Sequence, residues 1–297
     1  MRHQHDILCI GSVLWDVIGR APKRMQVGSD VPGRIERLPG GVALNIAMTL
    51  TGFGLRPALL SAVGRDAEGE ELIQACGAIG LETRYLYHAE DLPTDRYMAV
   101  EGANGLIAAI ADAHSLEQAG DRILTPLFDG RLGSEAAPYE GAVALDGNLT
   151  VELLQDIAVS PSFSKADLRV APASPGKAER LLPFLAHGRA VLYVNCEEAG
   201  LICDTSFKTA AEAAEQLIER GAQRVLVTDG NRAAAEGSFN GVHEKVPPEV
   251  NVTRITGAGD TFMAAHIAAE TDGLQGVDAL EAALAAAARY VSGETAK

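Results

Sequence analysis

The sequence predicts an α/β protein with a mostly parallel central sheet and helices on both faces. Three observations carry this: apolar runs that end abruptly, helical patterns between them, and a composition able to bury a large core. The first run is Asp6-Ile-Leu-Cys-Ile-Gly11, and similar runs recur at Ala58 to Val63, Ala142 to Leu145, Ala190 to Val194 and Arg224 to Val227. A strand written as continuous apolar residues is buried on both faces, as in a parallel sheet between helical layers. Helical patterns span Val42 to Phe53, Ala67 to Ile79, Val151 to Ala158, Lys177 to Ala186, Ala210 to Arg220 and an Ala-rich stretch from Thr261 to Val291. Strands alternating with helices of this length build βαβ units. The chain has 297 residues, 47% of them hydrophobic, far more than a minimal core needs. With no linker or repeat in view, residues 1–297 read as a single domain.

Two stretches break the rhythm. Gly33 to Leu38, and Arg96 to Glu101 with Leu106 to Ile110 across the Ala103-Asn-Gly105 turn, alternate apolar and polar residues. They predict half-exposed strands and a hairpin. Strands at about residues 30–40 and 94–112 read as a small β lid standing over an active site, the plain alternative being an edge hairpin.

Against 25 Lys and Arg stand 40 Asp and Glu, a formal charge of −15 and a pI near 4.9. That excludes general nucleic-acid binding through phosphate neutralisation. It also raises a question, because an anionic substrate must then be held by local dipoles or a metal. Cys9, Cys76, Cys196 and Cys203 form no C-x-x-C pair, which fits a reducing, cytoplasmic setting. Neither a signal peptide nor a membrane span is expected, since Met1 to Gly19 carries Asp6 and Asp16 and no run of 18 apolar residues follows. His3 and His5 read as a terminal tail, and the other histidines show no ligand spacing.

Ile255-Thr-Gly-Ala-Gly-Asp260-Thr-Phe is the most informative stretch. Small residues at Gly257, Ala258 and Gly259 let the backbone approach a ligand, and the helix beginning there offers unpaired N–H groups to an anion. Asp260 falls in the first turn, placed to accept a proton from a substrate hydroxyl. Its plainer role is a helix cap after a glycine turn. Asn195-Cys-Glu-Glu198 follows an apolar strand, where an amide oxygen and a carboxylate three apart suit Mg²⁺ held through water, or simply a cap and a surface charge. Asp16 lies just past the first strand, and Pro39-Gly-Gly-Val-Ala-Leu-Asn45 puts Gly41 and Asn45 at a strand-to-helix turn; both could bond sugar hydroxyls. Thr228 and Gly230 end another strand as a wall for a nucleotide.

Taken in order, the glycine pair with asparagine, the N-x-x-E and the G-A-G-D resemble the PfkB, or ribokinase-like, carbohydrate kinases over essentially the whole chain. The resemblance implies a three-layer α/β/α sandwich with a β lid and transfer of the ATP γ-phosphoryl group to a primary hydroxyl. By it, Asp260 is the catalytic base and the Gly257–Ala258–Gly259 backbone an anion hole. Asn195 and Glu198 organise Mg²⁺ through water. Asp16, Gly41 and Asn45 hold the acceptor, and Thr228, Gly230 and Thr256 lie along the nucleotide. Within the family, Pro39-Gly-Gly-Val42 with Asn45-Ile-Ala47, the lid stretch Ala109-Ile-Ala-Asp112 and Asp146-Gly-Asn148 are most similar to the pseudouridine kinases, which makes Thr94 and Asp112 candidate acceptor contacts. Ribokinase or 2-keto-3-deoxygluconate kinase activity, or a non-catalytic binding regulator, are the alternatives. Leu14, Ala171, Val194 and Ala233 depart from the family pattern, which has asparagine, aspartate, proline and glycine at those places. The resemblance further implies a homodimer through the lid, and it leaves open a monovalent cation such as K⁺ near Asn251 to Thr256.

Overall fold

The computed structural model describes residues 5–294; His3 lies outside them. In chain order the strands are β1 (Ile7–Ile10), β2 (Leu14–Arg20), β3 (Arg34–Gly40), β4 (Pro57–Leu60), β5 (Ala62–Gly64), β6 (Tyr87–Ala89) and β7 (Arg96–Gly102). They continue with β8 (Gly105–Asp112), β9 (Ala142–Asp146), β10 (Asp167–Ala171), β11 (Val191–Asn195), β12 (Arg224–Thr228), β13 (Ala234–Ser238) and β14 (Gly241–Lys245). The helices are α1 (Val42–Gly52), α2 (Ala67–Ile79), α3 (His114–Ala119), α4 (Val151–Val159), α5 (Leu182–Leu185), α6 (Cys196–Cys203), α7 (Ala210–Glu219), α8 (Ala258–Thr271) and α9 (Val277–Ser292).

The alternation of β1 generates the layers. Ile7 and Cys9 pack into one apolar cluster with α1, α2, α8 and α9, whereas Leu8 and Ile10 pack into another with α3 to α7. Successive side chains of a strand leave on opposite faces, so a fully apolar strand needs both helical layers. β1 pairs in parallel with β4 and β9, and β10, β11 and β12 extend the parallel sheet. Antiparallel β13 and β14 close its edge, giving the order β14-β13-β12-β11-β10-β9-β1-β4.

A separate sheet, β3-β2-β7-β8, is built from β7 and β8 as the predicted hairpin, with β2 parallel to β7 and antiparallel to β3. Its register sets Leu38, Asp16, Tyr97 and Ala111 side by side on one face. Val17, Met98 and Ile110 share the other, where Ile35, Met98 and Ile110 are exposed.

Several expectations are corrected. Asp16 lies within β2, whose apolar pattern is interrupted by that residue and by Gly19. β10 was hidden by Asp167 and Arg169, charges that the fold pairs. The Ala58 to Val63 run breaks at Ser61 into β4 and β5, and β5 turns away to pair with β6. Lys177 to Ala186 is a 3₁₀ stretch from Pro175 to Leu181 followed by the short α5, because Pro175 and Pro183 supply no N–H donors. The Ala-rich stretch is two helices, α8 and α9, and α8 starts at Ala258. His5 is no tail residue; its ring is buried against Tyr85 and Tyr139. All four cysteines are free thiols. Among the described residues no helix is long and apolar enough to cross a membrane.

A buried charge network fastens α8 to the sheet. Glu270 of α8 receives Arg169 of β10 and, at 2.6 Å, Arg224 of β12. Arg169 also pairs with Asp167, and Arg224 with Glu236 of β13. Tyr193 of β11 and His266 of α8 complete it, the hydroxyl 2.9 Å from Nδ1. Burial pushes the His266 pKa down to about 3, so the ring is neutral beside two guanidinium groups. Breaking a buried charge pair from one side costs more than the pair contributes. Glu270→Ala is therefore expected to lower unfolding stability by about 3 kcal/mol in urea titration, while a loss of less than about 1 kcal/mol would show that Asp167 and Glu236 suffice for the two arginines.

Candidate active site

The carboxyl ends of β9 to β12, the turn after β1, the first turn of α8 and the inner lid face enclose a cavity of about 640 Å³. Ligands of open α/β sheets bind at that end of the strands. The glycine pair at the end of β3, Gly40 and Gly41, shapes one side of it. A side chain at Gly40 would collide with the Asp16 carboxylate, and one at Gly41 with the Ser12 carbonyl, 2.5 Å away. Gly41 also has φ 99° and ψ 145°, a conformation open essentially to glycine alone. Ser12 then takes over capping of α1, its Oγ accepting the Val42 N–H at 2.8 Å.

This brings the next functional residue into place. Asn45 Nδ2 donates to Asp260 Oδ2 at 2.9 Å, across 215 residues of sequence. Burial pushes the Asp260 carboxyl up to about 7, the Asn45 bond opposing that shift, and Asp146, Asp16 and Glu198 raise it further by repulsion. Asp260 remains partly open to the cavity. Asp16 faces the same space from the lid, its carboxyl pushed up to about 6 by burial.

Gly257 caps α8 at φ 87°. The Ala258 N–H is already committed, closing a turn on the Ile255 carbonyl at 3.0 Å. The helical ladder begins with Thr261 N–H to Gly257 O at 2.9 Å, so the N–H groups of Gly259 and Asp260 precede it and are left for a ligand. Of the expected Gly257–Ala258–Gly259 anion hole, the Ala258 N–H is therefore spent within the turn, and Asp260 adds an open N–H beyond it.

Asn195 and Glu198 form a capping box on α6: Asn195 Oδ1 accepts the Glu198 N–H at 2.9 Å, and Glu198 Oε2 accepts the Asn195 N–H at 2.8 Å. The cap reading and the site reading hold together, since both residues also line the cavity. Burial raises the Glu198 carboxyl to about 7. One carboxylate and one amide are too few for an all-protein cage, but they fit a divalent cation that keeps most of its waters, and the cation would reward ionisation of Glu198. Thr228, Gly230 and Thr256 line the same side of the cavity.

Two expected acceptor contacts are elsewhere. Thr94 is buried away from the cavity: its hydroxyl donates to Asp66 Oδ1 at 2.6 Å and accepts the Gly64 N–H, supporting the start of α2. Asp112 is opposite Arg96 on the outer lid face and bonds His114, its side chain 58% exposed. Strand alternation explains the miss, because its neighbours Ala111 and Ala113 line the cavity instead, with Tyr97. Ser12 and Lys177, unassigned from the sequence, also line it, with Asn148. Tyr97 was accessible from the period-2 pattern; Lys177 carried no signal.

Comparison with known proteins places this geometry. A model of the pfkB family carbohydrate kinases matches residues 4–296. An uncharacterized sugar kinase of Escherichia coli strain K12 is 28% identical, over 97% of this chain and 78% of the relative. A pseudouridine kinase of the same organism is 26% identical, over 92% of this chain and 86% of the relative. The solved structure of an Arabidopsis thaliana ribokinase complexed with ribose and ATP superposes with a TM-score of 0.77 at 20% identity, over 97% of this chain and 93% of that one, a likeness of ribokinase-like fold. The chain belongs to the PfkB family of carbohydrate kinases, phosphotransferases that act on hydroxyl groups.

Proposed function

We propose that this kinase transfers the γ-phosphoryl group of ATP to the 5′-hydroxyl of pseudouridine, with Asp260 as general base. The observation that carries the chemistry is the Asp260 carboxylate, oriented by Asn45 and seated beside free helix N–H groups at the join of the cavity's two halves. Asp16, Gly41 and Asn45 form the acceptor side, and Thr228, Gly230 and Thr256 the donor side. The choice of pseudouridine is supported by the relative of that activity and by Asp146-Gly-Asn148.

In this reading Asp16 and Asn45 hold the sugar so that its hydroxyl hydrogen-bonds Asp260. Asp260 takes the proton as the oxygen attacks phosphorus in line, the bond to the β,γ-bridging oxygen breaks and ADP leaves, and the Gly259 and Asp260 N–H groups meet the charge spreading over the transferred group. Asn195 and Glu198 would hold Mg²⁺ through water, and the ion would supply the positive charge that neutralises phosphate.

Purified protein with ATP and Mg²⁺, offered pseudouridine, uridine, ribose and 2-keto-3-deoxygluconate in potassium and in tetramethylammonium salt, tests the reading. Pseudouridine is expected to have the highest kcat/KM, faster in potassium if a cation binds near Asn251 to Thr256, and Asp260→Asn to lose at least about 100-fold. Preference for ribose, or a fully active Asp260→Asn, would refute it. Turnover of none of them, with ATP still bound, would favour a regulator.

The base must be ionised to act, so kcat/KM should rise with pH and level off above about 7, the value to which burial lifts Asp260. Stability runs the other way. A carboxyl whose folded pKa exceeds its unfolded value binds an extra proton when folded, and the fold loses that contribution as pH rises from about 4 to 7. A flat rate profile from pH 6 to 8 would exclude Asp260 as the titrating base.

The outer lid face, with Ile35, Met98 and Ile110 exposed, supports a homodimer through the lid. Ile110→Glu is expected to convert a dimer to a monomer in sedimentation analysis; a wild-type monomer at working concentration would exclude the assembly.

A further inference from the structure

We propose that Lys177, Asn148 and Ser12 form an acceptor subsite that takes a neutral carbonyl on the part of the acceptor remote from the phosphorylated hydroxyl, as in the ring of a pyrimidinedione. The inference rests on the nucleoside-kinase reading above and names what selects the acceptor. Lys177 Nζ donates to Asn148 Oδ1 at 2.6 Å. The amide cannot turn over without loss, because Asn148 Nδ2 donates to Ser12 Oγ at 3.0 Å and to Asp146 Oδ2 at 3.3 Å. Ser12 is held in turn by its own N–H, 2.7 Å from Asp146 Oδ2. The four residues thus form one connected network that reaches the cavity through Ser12, Asn148 and Lys177, and since Ser12 and Asn148 spend their own donors inside it, they serve to hold the ammonium in place before any ligand arrives.

Lysine has three donors, and Asn148 uses one. Lys177 is half-buried beside Pro172, Ala173 and Pro175, and among the described residues it is the one cationic side chain lining the cavity. Burial and Arg180 depress its pKa, which is the cost of keeping an ammonium there. Its hydrogen-bond chain runs through Asn148 to Ser12, whose Oγ accepts the first N–H of α1, the helix that carries Asn45, and so ties the ammonium to the side of the cavity that the proposed reading gives to the acceptor. Asp146 inside the network, and Asp16 on the same side of the cavity, disfavour a carboxylate ligand, so the fitting chemistry is an uncharged oxygen acceptor. A plain pentose in its ring form carries no carbonyl.

Steady-state kinetics of wild type, Lys177→Met and Lys177→Gln with pseudouridine, ribose and 2-keto-3-deoxygluconate test the subsite, thermal melts verifying that each variant folds. Lys177→Met is expected to lower the pseudouridine-to-ribose ratio of kcat/KM by about 10- to 100-fold, the effect of losing charged donors to a buried oxygen, and Lys177→Gln to restore part of it. Equal losses on both acceptors, or a rise in the KM for ATP larger than that for pseudouridine, would overturn the proposal. So would a loss greatest for 2-keto-3-deoxygluconate without rescue by glutamine, which is the behaviour of a carboxylate site. A wild type that leaves pseudouridine unphosphorylated defeats the nucleoside-kinase reading; calorimetric titration of pseudouridine then still judges the subsite, supported by binding that Lys177→Met weakens about 10-fold or more and overturned by equal or absent binding.

Discussion

The site depends first on where α8 begins. Gly257 stands at φ 87° with the Tyr290 hydroxyl of α9 only 2.5 Å from where a side chain would be, so the turn closes against its neighbouring helix through glycine alone. Tyr290 in turn donates to the Thr256 carbonyl at 2.8 Å. At the far end of α8, Glu270 and His266 meet Arg169, Arg224 and Tyr193. The helix is thereby held at both ends, and Asp260 with its neighbouring N–H groups sits at a defined height above the sheet. A displacement of about 1 Å at a reacting group is costly in rate, which gives this double anchoring its chemical point.

The second constraint is electrostatic. Four carboxylates, Asp16, Asp146, Glu198 and Asp260, act on the cavity of a chain already carrying −15. Their mutual repulsion and burial lift Asp260 to about 7, where a carboxylate is a better base than at its ordinary value. In the proposed reading the anionic donor would be left to helix N–H groups and a hydrated cation, while the neutral acceptor would lie toward the carboxylates. The charge count then excludes only partners bound through the general field.

Legibility followed sequence distance. The buried strands were readable because a strand covered on both faces is apolar throughout, and the hairpin because one exposed face imposes alternation. β10 was not, since Arg169 looks like a surface residue until Asp167 and Glu270 are placed around it. Thr94 and Asp112 failed as acceptor contacts for a related reason: strand register turns Asp112 outward between neighbours that line the cavity, and Thr94 is held at the Asp66 cap of α2.

What the sequence determined by itself was local: G-A-G-D as a helix start with a carboxylate in its first turn, N-x-x-E as a cap, a glycine pair before Asn45, and a parallel α/β core. These follow from backbone sterics and periodicity, which act over a few residues. Only the tertiary structure decided that Asn45 bonds Asp260 and that Lys177 reaches Asn148 on the cavity wall. Both depend on the order of strands in the sheet and the tilt of the elements between them, and no pattern along the chain encodes the meeting of residues 215 or 29 positions apart.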